Sequence, residues 1–388
     1  MIRKEARLEF ADKINGLNKS ELWDMGISRV SEVTGLDVVG CPVWVSCRPL
    51  SRTVSLNAGK SLDRMMSMAG AILEASEFCA AENPKGESIV APYSEVKNRA
   101  VDYRDLPLIH SSILHEDMPI EWEWSTEILS GHNRLVPSGA CWMHPRTKTF
   151  IGHFQNSSNG NASGYSIVDA IISGLYEVIE RDAWTISEYL ESHRIVENLP
   201  DSIKSMEEMA TRVGLKLSVF SCIQDDIGIP VFGAVIHGDD AGLYTGHGCN
   251  ICPVKAMERA VLEAFQSRCV YIAGARDDLF RRSFLISKNT NPKDIEESLG
   301  KLGRDDTEYQ ELEDIEDSQE LIEISRKVKN AGFNEIYVKH LNTFEFKDVT
   351  IAVVKVIVPG LETCKMDGQW TPSPRCLKKK SLFTSAQA

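Results

Sequence analysis

The chain has no run of about 18 apolar residues, so no segment is long enough to cross a bilayer as a helix. Its start, MIRKEARLEFADKINGL, is charged and amphipathic and lacks the apolar stretch of a secretory signal. Basic charge is scarce: 43 Lys and Arg stand against 56 Asp and Glu, for a formal net charge of −13. The one basic cluster is Lys378–Lys380, too short to offset that charge, which excludes a nucleic-acid binder. HExxH is absent, and no His cluster occurs at ligand spacing, which sets zinc hydrolysis aside. GxxxxGK[ST] is missing too, as is a GxGxxG between strand and helix, so no standard phosphate cradle is present. The ten cysteines show no disulfide-like spacing and suit a reducing cytoplasm. Cys249 and Cys252, in GHGCNICPVKA beside His247, form a CxxC that no second CxxC completes. They read as two thiols at a loop-to-helix junction.

What is present is a soluble globular composition, 43% hydrophobic and 26% charged over 388 residues, enough for one large domain or two ordinary ones. A short N-terminal helix precedes the strand-like DVVGCPVWVSCRPL and RTVSLNAG. Long helical patterns cover about 61–82, 166–192 and 253–275, while residues 83–148 show no sustained period. LKLSVFSCI and IPVFGAVIH read as a strand pair, GLYTGHGCN as strand and turn, and NEIYVKHL and VTIAVVKVIV as closing strands. The acidic stretch before them reads as a surface helix plus loop, and the residues after PGLE as a loose tail. Strand pairs alternating with helices predict an α+β protein of layered mixed sheets and long helices.

The three long helices share one oddity. At about 100° per residue, Asp169, Ser173, Glu177 and Glu180 fall within an arc of about 80°, opposite Ile171, Ile172, Leu175 and Val178. Ser67, Gly70, Glu74 and Glu77 share a similar arc of about 80°, and Arg259, Glu263 and Gln266 lie within about 60° of one another. One such helix is an ordinary amphipathic helix with its acids in solvent. Three, each apolar around most of its girth, point to carboxylates converging where they cannot all ionise without cations. Oxygen-only ligands suit Mg²⁺, commonly together with a nucleotide's phosphates, and Arg181 and Arg259 suit an anion between the metals. Gly59, Lys60 and Ser61 stand just before the first of these helices, and a helix N-terminus with a Lys beside it attracts phosphate.

The same residues carry a family resemblance. SNGNASGYSIVDAIISGLYEVIERDAW resembles the SNGxASG and ExxER signature of the YcaO family. AGKSLDRMMSMAGAILEASEF is similar to that family's GKG followed by ExxE, ERAVLEAFQSR to its RAxxExxQ helix, and VIVPGLE to its closing strand. All four occur in family order, over roughly residues 25–365. Departures are Gly70 where many members have Ser, Tyr165 in place of Asn, and GKS in place of GKG.

The resemblance implies a YcaO-type fold, with residues 1–60 as its N-terminal part, 61–365 as the catalytic core and 366–388 as a tail. It also implies ATP and Mg²⁺, with Glu74, Glu77, Glu177, Glu180 and Glu263 as metal or phosphate ligands. Asp169, Arg181, Arg259 and Gln266 would contact the nucleotide, as would Lys60, Ser67 and Arg29; Arg181, Glu177 and Glu263 would take part most directly in catalysis. The chemistry expected is phosphorylation of a backbone amide oxygen in a peptide or protein, followed by attack of a nucleophile. No PxPxP repeat ends the chain and no peptide-clamp region precedes the core. It thereby resembles the stand-alone, thioamide-forming branch, which takes sulfide or another sulfur donor and in some members a TfuA partner. Azoline or macroamidine formation is the alternative, and a non-catalytic partner-binding scaffold the third reading. A homodimer in the cytoplasm, with no membrane or nucleic-acid partner, completes the expectation. His153 and His247 are candidate bases by loop position.

Overall fold

A computed structural model describes residues 3–143, 152–222, 226–238, 242–274, 292–365 and 370–387. Its helices of eight or more residues are α1 Arg3–Asn15, α2 Arg64–Glu82, α3 Ile167–Leu190, α4 Asp201–Thr211, α5 Pro253–Ala273, α6 Pro292–Gly300, α7 Asp317–Asn330 and α8 Pro374–Gln387. The chain divides into two compact units. One comprises Met1–Leu50, Val54–Ala75 and Glu191–Ile315; the other comprises Ser51–Thr53, Ser76–Leu190 and Glu316–Ala388.

The first unit contains two sheets. β1 Arg29–Glu32, β2 Val43–Cys47 and β3 Leu56–Lys60 pair antiparallel in that order. β8 Arg194–Val196, β9 Lys216–Ser221, β10 Val231–His237, β11 Leu243–Cys249 and β12 Gly303–Asp305 pair in the order β11-β10-β9-β8-β12, with only β12–β8 parallel. α5 lies on β10 and β11 and buries Met257, Ala260, Val261 and Ala264 against Val219, Phe232, Ala234 and Ile236. Its other flank meets β2 through Cys269, Val270, Val43 and Val45. Two strand glycines permit the close approach: a Cβ on Gly246 would stand 2.2 Å from Ala260 O, and one on Gly248 2.0 Å from Ala256 O. Pro253 at the first helical turn starts α5, and Gly274, at φ 61°, ends it.

The second unit is built on a six-stranded antiparallel sheet. β4 Ser88–Pro92, β5 Pro119–Glu127, β13 Tyr337–Glu345, β14 Thr350–Ile357 and β7 Asn161–Gly164 follow in that order, and β6 His132–Pro137 pairs with β5. α3 follows β7 directly, capped by the Ser166 hydroxyl, which accepts from Asp169 N at 3.1 Å, and packs on β7 and β14. A buried bidentate pair ties the start of α8 to α3: Arg375 Nε and Nη2 donate to Asp182 Oδ1 and Oδ2 at 2.8 and 2.9 Å.

The α+β class, the three long helices and the strand pairs match the sequence expectation. The stretch 83–148 does not: within its described part it holds β4, β5 and β6. The pattern of β5 is concealed by three buried acids, Glu121, Glu123 and Glu127. Each is satisfied internally: Glu121 by the Ser88 hydroxyl, Glu123 by Trp142 Nε1 and Lys339 Nζ, Glu127 by the N–H groups of Leu129, Ser130 and Ile336. A polarity-based reading therefore misses a central strand. The segment read as a loose tail likewise forms α8. Among the described residues no helix is long and apolar enough to cross a membrane.

Candidate functional site

In the first unit the expected residues gather around β3, α2 and α5. Glu74, on α2, accepts the Ala58 N–H at 2.6 Å through Oε2. Ala58 lies on β3, an edge strand, so the carboxylate takes a donor that no neighbouring strand uses. Glu263, on α5, is gripped through both oxygens: Lys60 Nζ lies 2.6 Å from Oε2 and His247 Nδ1 3.6 Å from Oε1. Arg259 Nη1 donates to Cys249 O at 3.3 Å, and Gln266 is half-buried one turn beyond Glu263. Arg29 is exposed at the start of β1. Ser67 is fully buried, its hydroxyl 2.9 Å from both Pro42 O and Gly59 O, where it ties α2 to β3.

The second unit repeats the edge-strand device. Glu77 Oε1 accepts both the N–H and the hydroxyl of Ser163, at 2.8 and 2.7 Å, and Ser163 lies on the edge strand β7. Asp169 is buried at the start of α3 against Gly164, where a Cβ would come within 2.6 Å of its Oδ2. Glu177 is half-buried and Glu180 buried, and Arg181 Nη2 stands 3.6 Å from Glu180 Oε1. Lys355, on β14, is buried; its ammonium donates to Ser157 O at 2.9 Å. Burial draws its pKa down to about 8, and the charge of Glu177 works in the opposite direction.

Three expectations change. Ser67, fully buried with its hydroxyl held by two carbonyls, fastens α2 to β3 and presents no surface to a nucleotide. The start of α2 is not a free anion site, because Asp63 Oδ1 accepts from Met65 N at 2.8 Å and Met66 N at 3.0 Å, and Lys60 turns to Glu263. Of the two candidate bases, His247 stands at a predicted acid, whereas buried His153 meets the Ser112 hydroxyl at 3.3 Å and its pKa is lowered by burial. Cys249 and Cys252 are buried thiols outside any disulfide: Cys249 ends β11, while Cys252 stands just before α5 and its Sγ accepts from Leu312 N at 3.3 Å. Lys355 was missed; its signal is a single Lys inside the apolar VTIAVVKVIV.

The donor set is chemically consistent with magnesium. Every candidate ligand is a carboxylate, and Glu74, Glu77 and Glu263 are each oriented through a named hydrogen bond or ion pair. Among the described residues no group of three or more His, Cys, Asp or Glu gathers closely enough to hold an ion. Mg²⁺ ordinarily completes its shell with water and substrate phosphates rather than an all-protein cage.

Comparison with known proteins places these residues in a family context. The family model described as YcaO cyclodehydratase, ATP- and Mg²⁺-binding, matches residues 58–362. A Rhizobium leguminosarum bv. trifolii protein of the tfuA 3′ region is 31% identical over 374 residues, covering 91% of this chain and 87% of its own. A Methanothermobacter thermautotrophicus protein is 31% identical over 368 residues, covering 88% of this chain and 91% of its own. Among solved structures, YcaO from Methanopyrus kandleri bound with AMPPCP and Mg²⁺ has a TM-score of 0.70 at 20% identity, covering 92% of this chain and 91% of that one. A heterocyclase in complex with substrate and cofactor has a TM-score of 0.72 at 16% identity; it covers 90% of this chain, which spans 53% of the heterocyclase. At these identities the structures establish the fold.

Proposed function

The chain belongs to the YcaO family and binds ATP and Mg²⁺ as that family does, and from that premise we propose that it activates a peptide backbone amide by O-phosphorylation and replaces the oxygen with sulfur. The amide oxygen attacks the γ-phosphorus of ATP; an O–P bond forms as the bond to ADP breaks. Hydrosulfide then adds to the amide carbon, and phosphate leaves with the former amide oxygen. The balance is amide, ATP and HS⁻ to thioamide, ADP and phosphate. Bound magnesium would neutralise the charge that spreads over the phosphoryl oxygens.

The chain's own part is to hold and orient. Glu74 and Glu263 in the first unit, and Glu77, Glu177 and Glu180 in the second, would serve as metal ligands. Arg181 and Arg259 would face phosphate, with Asp169, Gln266 and Arg29 toward the nucleotide, while Lys60 would hold Glu263 in place. An amide oxygen is a weak nucleophile, so alignment supplies much of the rate. The observation that carries the sulfur reading is the 31% identical relative from a tfuA 3′ region. A TfuA-type partner and a homodimer in a reducing cytoplasm belong to the same reading.

The test is incubation with ATP, Mg²⁺, sulfide and candidate peptides carrying ¹⁸O in the backbone amide. ADP, ¹⁸O-labelled phosphate and an oxygen-to-sulfur mass gain are expected. AMP with pyrophosphate would overturn the mechanism. Cyclisation of a Cys or Ser peptide without added sulfide would instead establish azoline formation, and absence of nucleotide turnover a scaffold.

A further inference from the structure

The second unit contains two adjoining cavities. The outer one, about 300 Å³, has an apolar wall that includes Leu106, Pro107, Leu108, Trp370 and Pro372. The inner one, about 50 Å³, shares Pro107, Gln155, Leu361, Glu362 and Thr363 with it and reaches Lys355, Ser157 and Asn159. Val178, next in sequence to Glu177, forms part of its wall. By the same measure roughly 10–15 Å³ admits a water. The inner cavity therefore takes a group somewhat larger than water.

Its polar atoms are not equivalent. The Glu362 carboxylate already accepts three hydrogen bonds: Oε1 from Thr363 N at 3.0 Å and Trp370 Nε1 at 3.2 Å, and Oε2 from Ser373 N at 3.0 Å. Gln155 Nε2 donates to Cys364 O at 2.9 Å, and Asn159 Nδ2 to Thr363 Oγ1 at 3.3 Å. Two resources remain. The Lys355 ammonium has three N–H donors and one carbonyl acceptor, Ser157 O at 2.9 Å. The Asn159 Oδ1 atom is buried without a hydrogen-bond partner among the described residues. Asn161 lies directly across from Lys355 in the β7–β14 register, with both amide atoms likewise buried and without a partner. A cation with spare donors faces a cavity that also offers an unused acceptor.

We propose that this inner cavity seats the hydrosulfide ion. The ion's sulfur accepts from Lys355 Nζ while its single S–H donates to Asn159 Oδ1, and its negative charge meets that of the ammonium. The proposal rests on the thioamide reading above and deepens it by locating the nucleophile at Lys355, near Glu177 of α3.

Two measurements on the full chain separate this proposal from that reading. Crystals soaked in sodium bromide, a monoanion of similar size, should show an anomalous peak in contact with Lys355 Nζ, lost in Lys355→Met. In steady-state assays with ATP, Mg²⁺, sulfide and a peptide substrate, Lys355→Met should raise the KM for sulfide by about tenfold or more, the loss of one charge-assisted hydrogen bond, with the KM for ATP changed less than about twofold. Asn159→Leu, which keeps the lysine and fills the cavity, should do the same and serves if Lys355→Met does not fold. An empty cavity in bromide-soaked wild-type crystals, or equal rises in both KM values, overturns the seat. Bromide bound at Lys355 with no sulfide turnover on any peptide sustains the anion seat and overturns the thioamide reading instead.

Discussion

At the scale of single residues, Glu74 and Glu77 owe their orientation to the N–H groups of edge strands, Ala58 in one unit and Ser163 in the other. A glutamine at position 77 can still accept from Ser163 through its carbonyl oxygen but cannot neutralise a cation. Glu77→Gln is therefore expected to abolish magnesium-dependent ATP binding in a calorimetric titration. Its stability should stay within about 1 kcal/mol of wild type by thermal unfolding, the worth of an ordinary hydrogen bond. A second residue-level consequence concerns His193, which is half-buried and feels the charge of His247. Burial, aided by the His247 charge, lowers its pKa from 6.5 to about 4. As pH falls below 6.5 the unfolded chain takes up this proton first. The stability due to the neutral ring is thus complete above pH 6.5 and drains away toward pH 4. Urea midpoints measured across that window should fall less steeply for His193→Gln than for wild type; parallel slopes would remove His193 from the account.

At the scale of elements, the approach of α5 to β11 is set by Gly246 and Gly248, where an added methyl would meet the helix backbone itself rather than a side chain that can turn aside. Gly246→Ala and Gly248→Ala should each cost about 1–3 kcal/mol or more in denaturant unfolding. Gly35→Ala, with nothing within 4 Å, is the control and should be close to neutral. The same displacement moves Glu263 with its helix, so magnesium-dependent binding should weaken alongside. The elements also show what sequence patterns conveyed and what they hid. α2, α3 and α5 were legible because a 3.6-residue period survives even when acids interrupt the apolar face. β5 was hidden because Glu121, Glu123 and Glu127 occupy core positions and find their partners on distant segments. α8 was hidden because its anchor, Asp182, lies almost two hundred residues earlier in the chain. The glutamates of the candidate site were legible as residue types in a spacing. The edge N–H groups that orient them were not, since a free edge is a property of strand order and not of any local stretch. Lys355 stood in plain view as a charge in an apolar strand, and only its burial gives it meaning.

At the scale of the whole molecule, all ten cysteines are free thiols. Cys41, Cys141, Cys222, Cys249, Cys252, Cys269 and Cys376 are buried, and only Cys47, Cys79 and Cys364 are partly exposed. Burial pushes the thiols of Cys41, Cys141, Cys269 and Cys376 up to about 12, so they remain protonated and unreactive at neutral pH. A brief maleimide pulse on the native protein, read by intact mass, should add no more than three labels, and the same pulse in denaturant ten. More than three on the native protein would show that the buried thiols open to solvent. This inventory bears on the proposed reaction from another side. Hydrosulfide cleaves disulfides by the same exchange chemistry as any thiolate. A fold stapled by such bonds would be slowly dismantled by its own co-substrate. This chain offers sulfide no disulfide to open and keeps most of its sulfur where the solvent does not reach, which is what the proposed reaction would demand of its catalyst.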